Sequence, residues 1–122
     1  MIEVPTYKTI LVENADWITT VTLNRPEKRN AMRPQLHIDL WDVLNRLEAD
    51  DATRVLVITG AGQAFCAGQD LKEYFYEMEG REAERRRIGR IGQEWRDRLL
   101  RMFPKPTIAM INGYCFGGAF SI

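Results

Sequence analysis

VLVITGAGQAFCAGQD, residues 55–70, passes from five consecutive apolar or β-branched residues directly into a glycine-rich loop. A short apolar run with no polar alternation predicts a strand covered on both faces, as in a parallel sheet. Working outward, Pro34 suits a first helical turn, and Leu36, Leu40, Val43, Leu44 and Leu47 follow it at helical spacing. Residues 7–13 (YKTILVE) and 17–23 (WITTVTL) predict a hairpin, with residues 14–16 as its turn. On the other side, Asp70 can cap a short helix over residues 71–79. A long helix is predicted over residues 81–103, with Ile88, Ile91, Trp95, Leu99 and Met102 along one stripe, until Pro104 and Pro106 end it. Residues 107–111 (TIAMI) read as a second buried strand. The order ββ, α, β, α, α, β predicts an α/β layer fold with parallel central strands.

The 122 residues suit a single domain, residues 1–122, and 45% hydrophobic with 28% charged residues is an ordinary globular composition. Seventeen Lys+Arg balance seventeen Asp+Glu, so net charge supplies no pull toward nucleic acid or anionic membrane. No apolar run reaches the roughly 20 residues of a membrane span, and residues 1–6 do not read as a signal peptide. Cys66 and Cys115 form no C-x-x-C pair, and His37 is the single histidine. Zinc is not expected, free thiols are, and the compartment predicted is the cytoplasm.

The loop after residue 59 fails as a nucleotide motif, because G-x-G-x-x-G would need glycine where Phe65 stands. A pair of loops is more informative. Ala67-Gly68-Gln69-Asp70-Leu71 and Gly113-Tyr114-Cys115-Phe116-Gly117-Gly118 each follow a predicted parallel strand, which would put both at one sheet edge. Backbone N–H groups from two such loops could bind one carbonyl oxygen as it becomes an oxyanion. The alternative from pattern alone is that these glycines only make tight turns.

The stretches NRPEKRNAM (24–32), AFCAGQDLKEYF (64–75) and PKPTIAMINGYCFGG (104–118), together with the strand order, resemble the N-terminal half of the crotonase (enoyl-CoA hydratase/isomerase) superfamily. The resemblance implies a spiral of repeated ββα turns, of which this chain would be the N-terminal part, family members being about twice as long. It implies assembly into trimers or hexamers, and an acyl-CoA thioester as substrate with no separate cofactor. Carried onto this chain, the oxyanion donors would be the backbone N–H groups of Gln69 and Gly118. Coenzyme A would meet Lys28, Arg29, Ala31, Ala67, Asp70 and Leu71, with Arg25 a weaker candidate.

Within the superfamily, DLKEYF (70–75), LLRM (99–102) and KPTIAMINGYCFGGAFS (105–121) most resemble the hydroxycinnamoyl-CoA hydratase-lyase group. It has serine where ordinary hydratases carry a catalytic glutamate, as at Ser121 here, and a tyrosine at Tyr74 that would contact the substrate's 4-hydroxyl group. Serine is no carboxylate base near neutral pH. The implied reaction hydrates a 4-hydroxycinnamoyl-CoA and cleaves it to an aromatic aldehyde and acetyl-CoA. The water-activating glutamate of the group would lie beyond residue 122, so an isolated 122-residue chain is expected to show negligible turnover. Alternatives are a hydratase or isomerase of another acyl-CoA, a non-catalytic fragment that folds partially or binds coenzyme A without turnover, and an RNA binder using the eight arginines of residues 81–101. Interspersed acidic residues favour a solvated amphipathic helix there. Without the resemblance Tyr74 reads as a packing residue, and His37, outside every motif, as a partly exposed helical residue.

Overall fold

The computed structural model describes residues 2–122, apart from the side chains of residues 120 and 121. The part predicted for Ser121 therefore lies outside the described residues. The chain opens with β1 (Ile10–Ala15) and β2 (Ile18–Leu23), an antiparallel pair in register from Ile10↔Leu23 to Ala15↔Ile18. Their turn is Asp16-Trp17, not residues 14–16. Both turn residues have positive φ, 52° and 71°, the backbone of a tight two-residue hairpin whose twist matches its strands. Asn14 stays in the strand, where its amide donates to Thr19 Oγ1 across the hairpin (2.9 Å) and to the Ala52 carbonyl (3.0 Å).

After α1 (Pro34–Glu48), β3 (Val55–Gly60) inserts parallel to β2, and β5 (Thr107–Ala109) adds parallel to β3. The sheet order is β1-β2-β3-β5. A second, two-stranded parallel sheet pairs β4 (Ala64–Cys66) with β6 (Tyr114–Cys115). The expected parallel α/β arrangement is present, with one correction. The strand predicted over 107–111 is shorter and is exposed along its length. Among the described residues it has β3 on one side and no strand on the other; Ile108, and Met110 and Ile111 just beyond the strand, are each at least half exposed.

The core lies between the sheet and the helices. Leu36, Leu40, Val43, Leu44 and Leu47 of α1 meet Ile10, Val21, Leu23, Leu56 and Ile58, and burying each such side chain is worth about 1.5–3 kcal/mol. The Lys105 ammonium closes the far end of α1, donating to the carbonyls of Leu47 (3.0 Å) and Asp50, where the helix dipole favours a cation. The long helix is α2 (Glu82–Gln93), running without a break into a π-helical segment, Glu94–Leu100. Ile88, Trp95 and Leu99 of the predicted stripe are buried, whereas Met102, past the helical segment, is largely exposed. Arginines on its outer surface pair along the helix, Arg87 with Glu84 and Arg98 with Glu94, so this is an amphipathic packing helix with a solvated face. No described helix is long and apolar enough to cross a membrane.

Candidate active site

The two loops singled out from sequence meet. The Phe116 N–H donates to the Cys66 carbonyl (3.0 Å), extending the β4–β6 pairing to the point where both strands end. Gly68 is what lets them touch. Its φ is +88°, and a Cβ built there would stand 2.9 Å from the Phe116 carbonyl oxygen and 3.4 Å from the Gly118 nitrogen.

The next residue is held from its other side. Met32 N–H donates to the Gly68 carbonyl (2.6 Å), and Asp70 N–H donates to the Met32 carbonyl (2.7 Å). Successive backbone groups of an extended segment alternate in direction, so Gln69, between those two bonds, turns its own N–H away from Met32. Among the described residues that N–H donates to nothing. Gly118 is the second residue of the 3-10 turn Gly117–Ser121.

Behind Gln69 lies a buried hydrogen-bond chain that sequence reasoning missed. His37 is not partly exposed: it is 1% exposed, on the Leu40–Leu44 side of α1. Trp95 Nε1 lies 3.0 Å from His37 Nδ1, and His37 Nε2 lies 3.0 Å from Gln69 Oε1. An indole N–H can only donate, so Nδ1 must accept. The neutral ring then carries its proton on Nε2 and donates it to the Gln69 oxygen. Burial brings the His37 pKa down to about 4 against the opposing effect of the Gln69 hydrogen bond, and the positive charge of Arg96 lowers it further. Gly92 makes room for the ring, since a Cβ there would stand 2.9 Å from Nδ1. The visible signal was a pair of glycines, Gly89 and Gly92, inside an otherwise strong helical pattern.

Tyr74 belongs to the same cluster. It lies on the short π-helical turn Leu71–Tyr76, its ring 5.8 Å from the His37 ring and tilted 59° to it. That turn starts where expected, with the Asp70 carboxylate accepting from the Glu73 N–H (2.9 Å), but ends sooner than residue 79.

Of the residues expected at coenzyme A, Lys28 and Arg29 are exposed, Ala31 and Ala67 are half-buried, and Leu71 is 65% exposed. Arg29 has its guanidinium 5.0 Å from the Tyr114 ring centroid, and its carbonyl accepts from the Ala67 N–H (3.0 Å). Arg25 is engaged elsewhere, with Asp70 at 2.6 Å and Glu73 at 3.2 Å. Burial works to raise the Asp70 pKa, but the Glu73 N–H and the Arg25 guanidinium outweigh it and hold the carboxyl below its ordinary value. Two asparagines, unremarked in the sequence, fasten the loops. Asn30 donates to the Ala61 and Ala64 carbonyls (3.0 and 2.9 Å), and Asn112 donates to those of Gly60 and Gly62 (2.9 and 3.1 Å).

Converging small-residue loops beside parallel strands, with a backbone donor turned outward, make a candidate site for a carbonyl oxygen. The chain belongs to the enoyl-CoA hydratase/isomerase family, whose model matches residues 13–122. Among curated proteins it is 57% identical over 116 residues to the hydroxycinnamoyl-CoA hydratase-lyase of Pseudomonas fluorescens, covering 94% of this chain and 42% of that protein. It is 35% identical over 108 residues to the 1,2-epoxyphenylacetyl-CoA isomerase of Escherichia coli (strain K12), covering 86% and 40%. Among solved structures, an enoyl-CoA hydratase/isomerase from Xanthobacter autotrophicus Py2 superposes with a TM-score of 0.82 at 34% identity, over 95% of this chain and 43% of that one. The fold is thus the crotonase-type fold in part, and the chain spans about two-fifths of the length of the curated relatives it matches.

Proposed function

We propose that this chain supplies the thioester-binding part of a hydratase-lyase acting on 4-hydroxycinnamoyl-CoA (feruloyl-CoA type) substrates. The observation that carries the reading is the contact of Gly68 with the Phe116–Gly118 backbone, which brings the Gln69 and Gly118 loops together. The likeness to a hydroxycinnamoyl-CoA hydratase-lyase supports the substrate class.

In this reading the thioester oxygen lies between the N–H groups of Gln69 and Gly118. Water adds across the side-chain double bond, leaving a hydroxyl on the benzylic carbon. Loss of the hydroxyl proton then breaks the bond between the α and β carbons, and the aldehyde departs. The electron pair passes to the thioester enolate, whose oxygen charge the two donors stabilise, and protonation at carbon gives acetyl-CoA. Each donor of such a pair is typically worth about 2.7–4 kcal/mol in the transition state. Tyr74 binds the 4-hydroxyl group, Ser121 lines the acyl pocket, and Lys28 and Arg29 meet the phosphates of coenzyme A, with Ala31, Ala67, Asp70 and Leu71 around it. No cofactor beyond the thioester's own coenzyme A takes part, and the protein assembles with copies of itself as a trimer or hexamer.

The test is an aldehyde-release assay on the natural full-length protein with 4-hydroxycinnamoyl-CoA, and crotonyl-CoA as the contrast. Aldehyde and acetyl-CoA formed in equal amounts support the reading. Hydration of crotonyl-CoA without aldehyde release from the aromatic thioester would replace it with a simple hydratase.

A further inference from the structure

The geometry points to the Trp95–His37–Gln69 hydrogen-bond chain as a relay that sets the polarity of the acyl pocket wall: it commits the Gln69 carboxamide oxygen to His37, so that the carboxamide NH2 is the group left to meet an acceptor oxygen on the acyl group. The inference rests on the reading of this site as a thioester pocket. His37 is then a positioning residue, acting through Gln69, and the Gln69 side chain determines specificity.

A glutamine amide at a ligand site presents either a donor or an acceptor, and a flip exchanges the two. Here the choice is made two residues back along the hydrogen-bond chain. Trp95, fully buried, offers only a donor to His37 Nδ1 at 3.0 Å. His37 must therefore donate from Nε2 to an acceptor, which only the carboxamide oxygen provides, at 3.0 Å. Among the described residues the Gln69 NH2 has no protein partner. The same residue carries the outward-turned backbone N–H, so main chain and side chain both offer donors beside one thioester. Gly92 keeps the relay closed, since a side chain there would push against His37 Nδ1. The His37 ring also stands 5.8 Å from the Tyr74 ring, tilted 59° to it, so one buried side chain neighbours both Gln69 and Tyr74.

The acyl group suited to such a wall carries an oxygen near the thioester. In the proposed reaction the hydrated 3-hydroxyacyl intermediate has that oxygen and the enoyl substrate lacks it. Gln69 is thereby a donor for the intermediate.

Nuclear magnetic resonance of 15N-histidine-labelled full-length protein at neutral pH tests the relay without any turnover, the His37 signal being assigned by its loss in His37→Gln. A neutral ring with the proton on Nε2 is expected, and a proton on Nδ1 overturns the relay. Trp95→Phe removes the donor and should release that tautomer preference; an unchanged tautomer in a folded Trp95→Phe protein also overturns it. For the substrate half, Gln69→Met keeps the backbone donor and deletes the side-chain one. It should weaken binding of the 3-hydroxyacyl thioester relative to the enoyl thioester by about 3- to 10-fold, the usual effect of one neutral hydrogen bond. His37→Leu should reproduce that change in the ratio and His37→Gln, which keeps an acceptor and a donor, should largely restore it. An unchanged ratio in Gln69→Met refutes the donor role. Wild-type protein that binds no CoA thioester refutes the reading of the site itself, and it does so independently of the tautomer result.

Discussion

The Arg25 guanidinium stands 2.6 Å from the Asp70 carboxylate, joining two loops that lie 45 residues apart in the chain. Both side chains are mostly shielded, at 15% and 11% exposure, and Glu73 extends the pair on the arginine's other nitrogen. The loop that carries Gln69 is thus clamped immediately after the proposed oxyanion donor.

Arg25→Ala should lower the unfolding free energy by about 1–3 kcal/mol in urea titration, because it strands a shielded carboxylate. Arg46→Ala, which breaks the exposed pair with Asp42, should be close to neutral. Asp70 has a depressed pKa, so its contribution is present above its ordinary value of 3.8 and fades as pH falls through the lower folded value. The cost of Arg25→Ala should therefore shrink in strong acid.

Gly68→Ala should cost stability and turnover together. The backbone strain at φ +88° and the 2.9 Å approach to the Phe116 carbonyl predict a loss of about 1–3 kcal/mol. Displacement of the proposed oxyanion loop by about 1 Å should lower kcat by roughly 100-fold. Gly80→Ala is the control: its φ is +80°, but nothing lies within 4 Å of the added carbon. Thermal melts and steady-state kinetics on the two variants separate strain from site geometry.

His37 should leave a signature in the pH dependence of stability. Its pKa is 6.5 ordinarily and about 4 in the fold, so the unfolded chain takes up a proton first as pH falls. The contribution is complete above pH 6.5 and is lost between 6.5 and about 4, amounting to roughly 3 kcal/mol. Denaturant titrations across that range should show a steeper decline for wild type than for His37→Gln. Parallel declines would mean the ring protonates as easily folded as unfolded.

Much of this architecture was legible in local pattern. The apolar run at residues 55–59, the leucine spacing after Pro34 and the prolines at 104 and 106 each act over one or two turns, so strand, helix and boundary could be read from neighbours alone. The loop pair carrying Gln69 and Gly118 was legible for the same reason, glycine after a strand being a local signal. His37 was not, because its environment is made by partners 32 and 58 residues away. Nor was the exposure of β5, which depends on which strand lies beyond it and not on its own sequence. The glycines at 89 and 92 marked a close approach, yet nothing nearby in sequence named the approaching ring.

The β5 edge predicts behaviour of the 122-residue polypeptide on its own. Ile108 of β5, with Met110 and Ile111 just beyond it, presents an exposed apolar stretch at a strand edge of the kind that pairs with other chains. Sedimentation at rising concentration should show self-association, and Ile108→Lys should reduce it. A monodisperse monomer at high concentration would show that the edge is already protected.

Cys66 and Cys115 sit one on each strand of the β4–β6 pair, directly opposite in register. Burial pushes the Cys66 thiol up to about 11, so almost none of it is thiolate at neutral pH while the pair stays closed, whereas Cys115 is only half-buried. The native sequence therefore contains its own clock for breathing of the two loops proposed to hold the thioester oxygen. The rate at which Cys66 accepts an alkylating reagent, with Cys115 as the accessible reference, reports how often the two strands part, and slowing of that rate by a bound thioester would measure how firmly the ligand holds the loops shut.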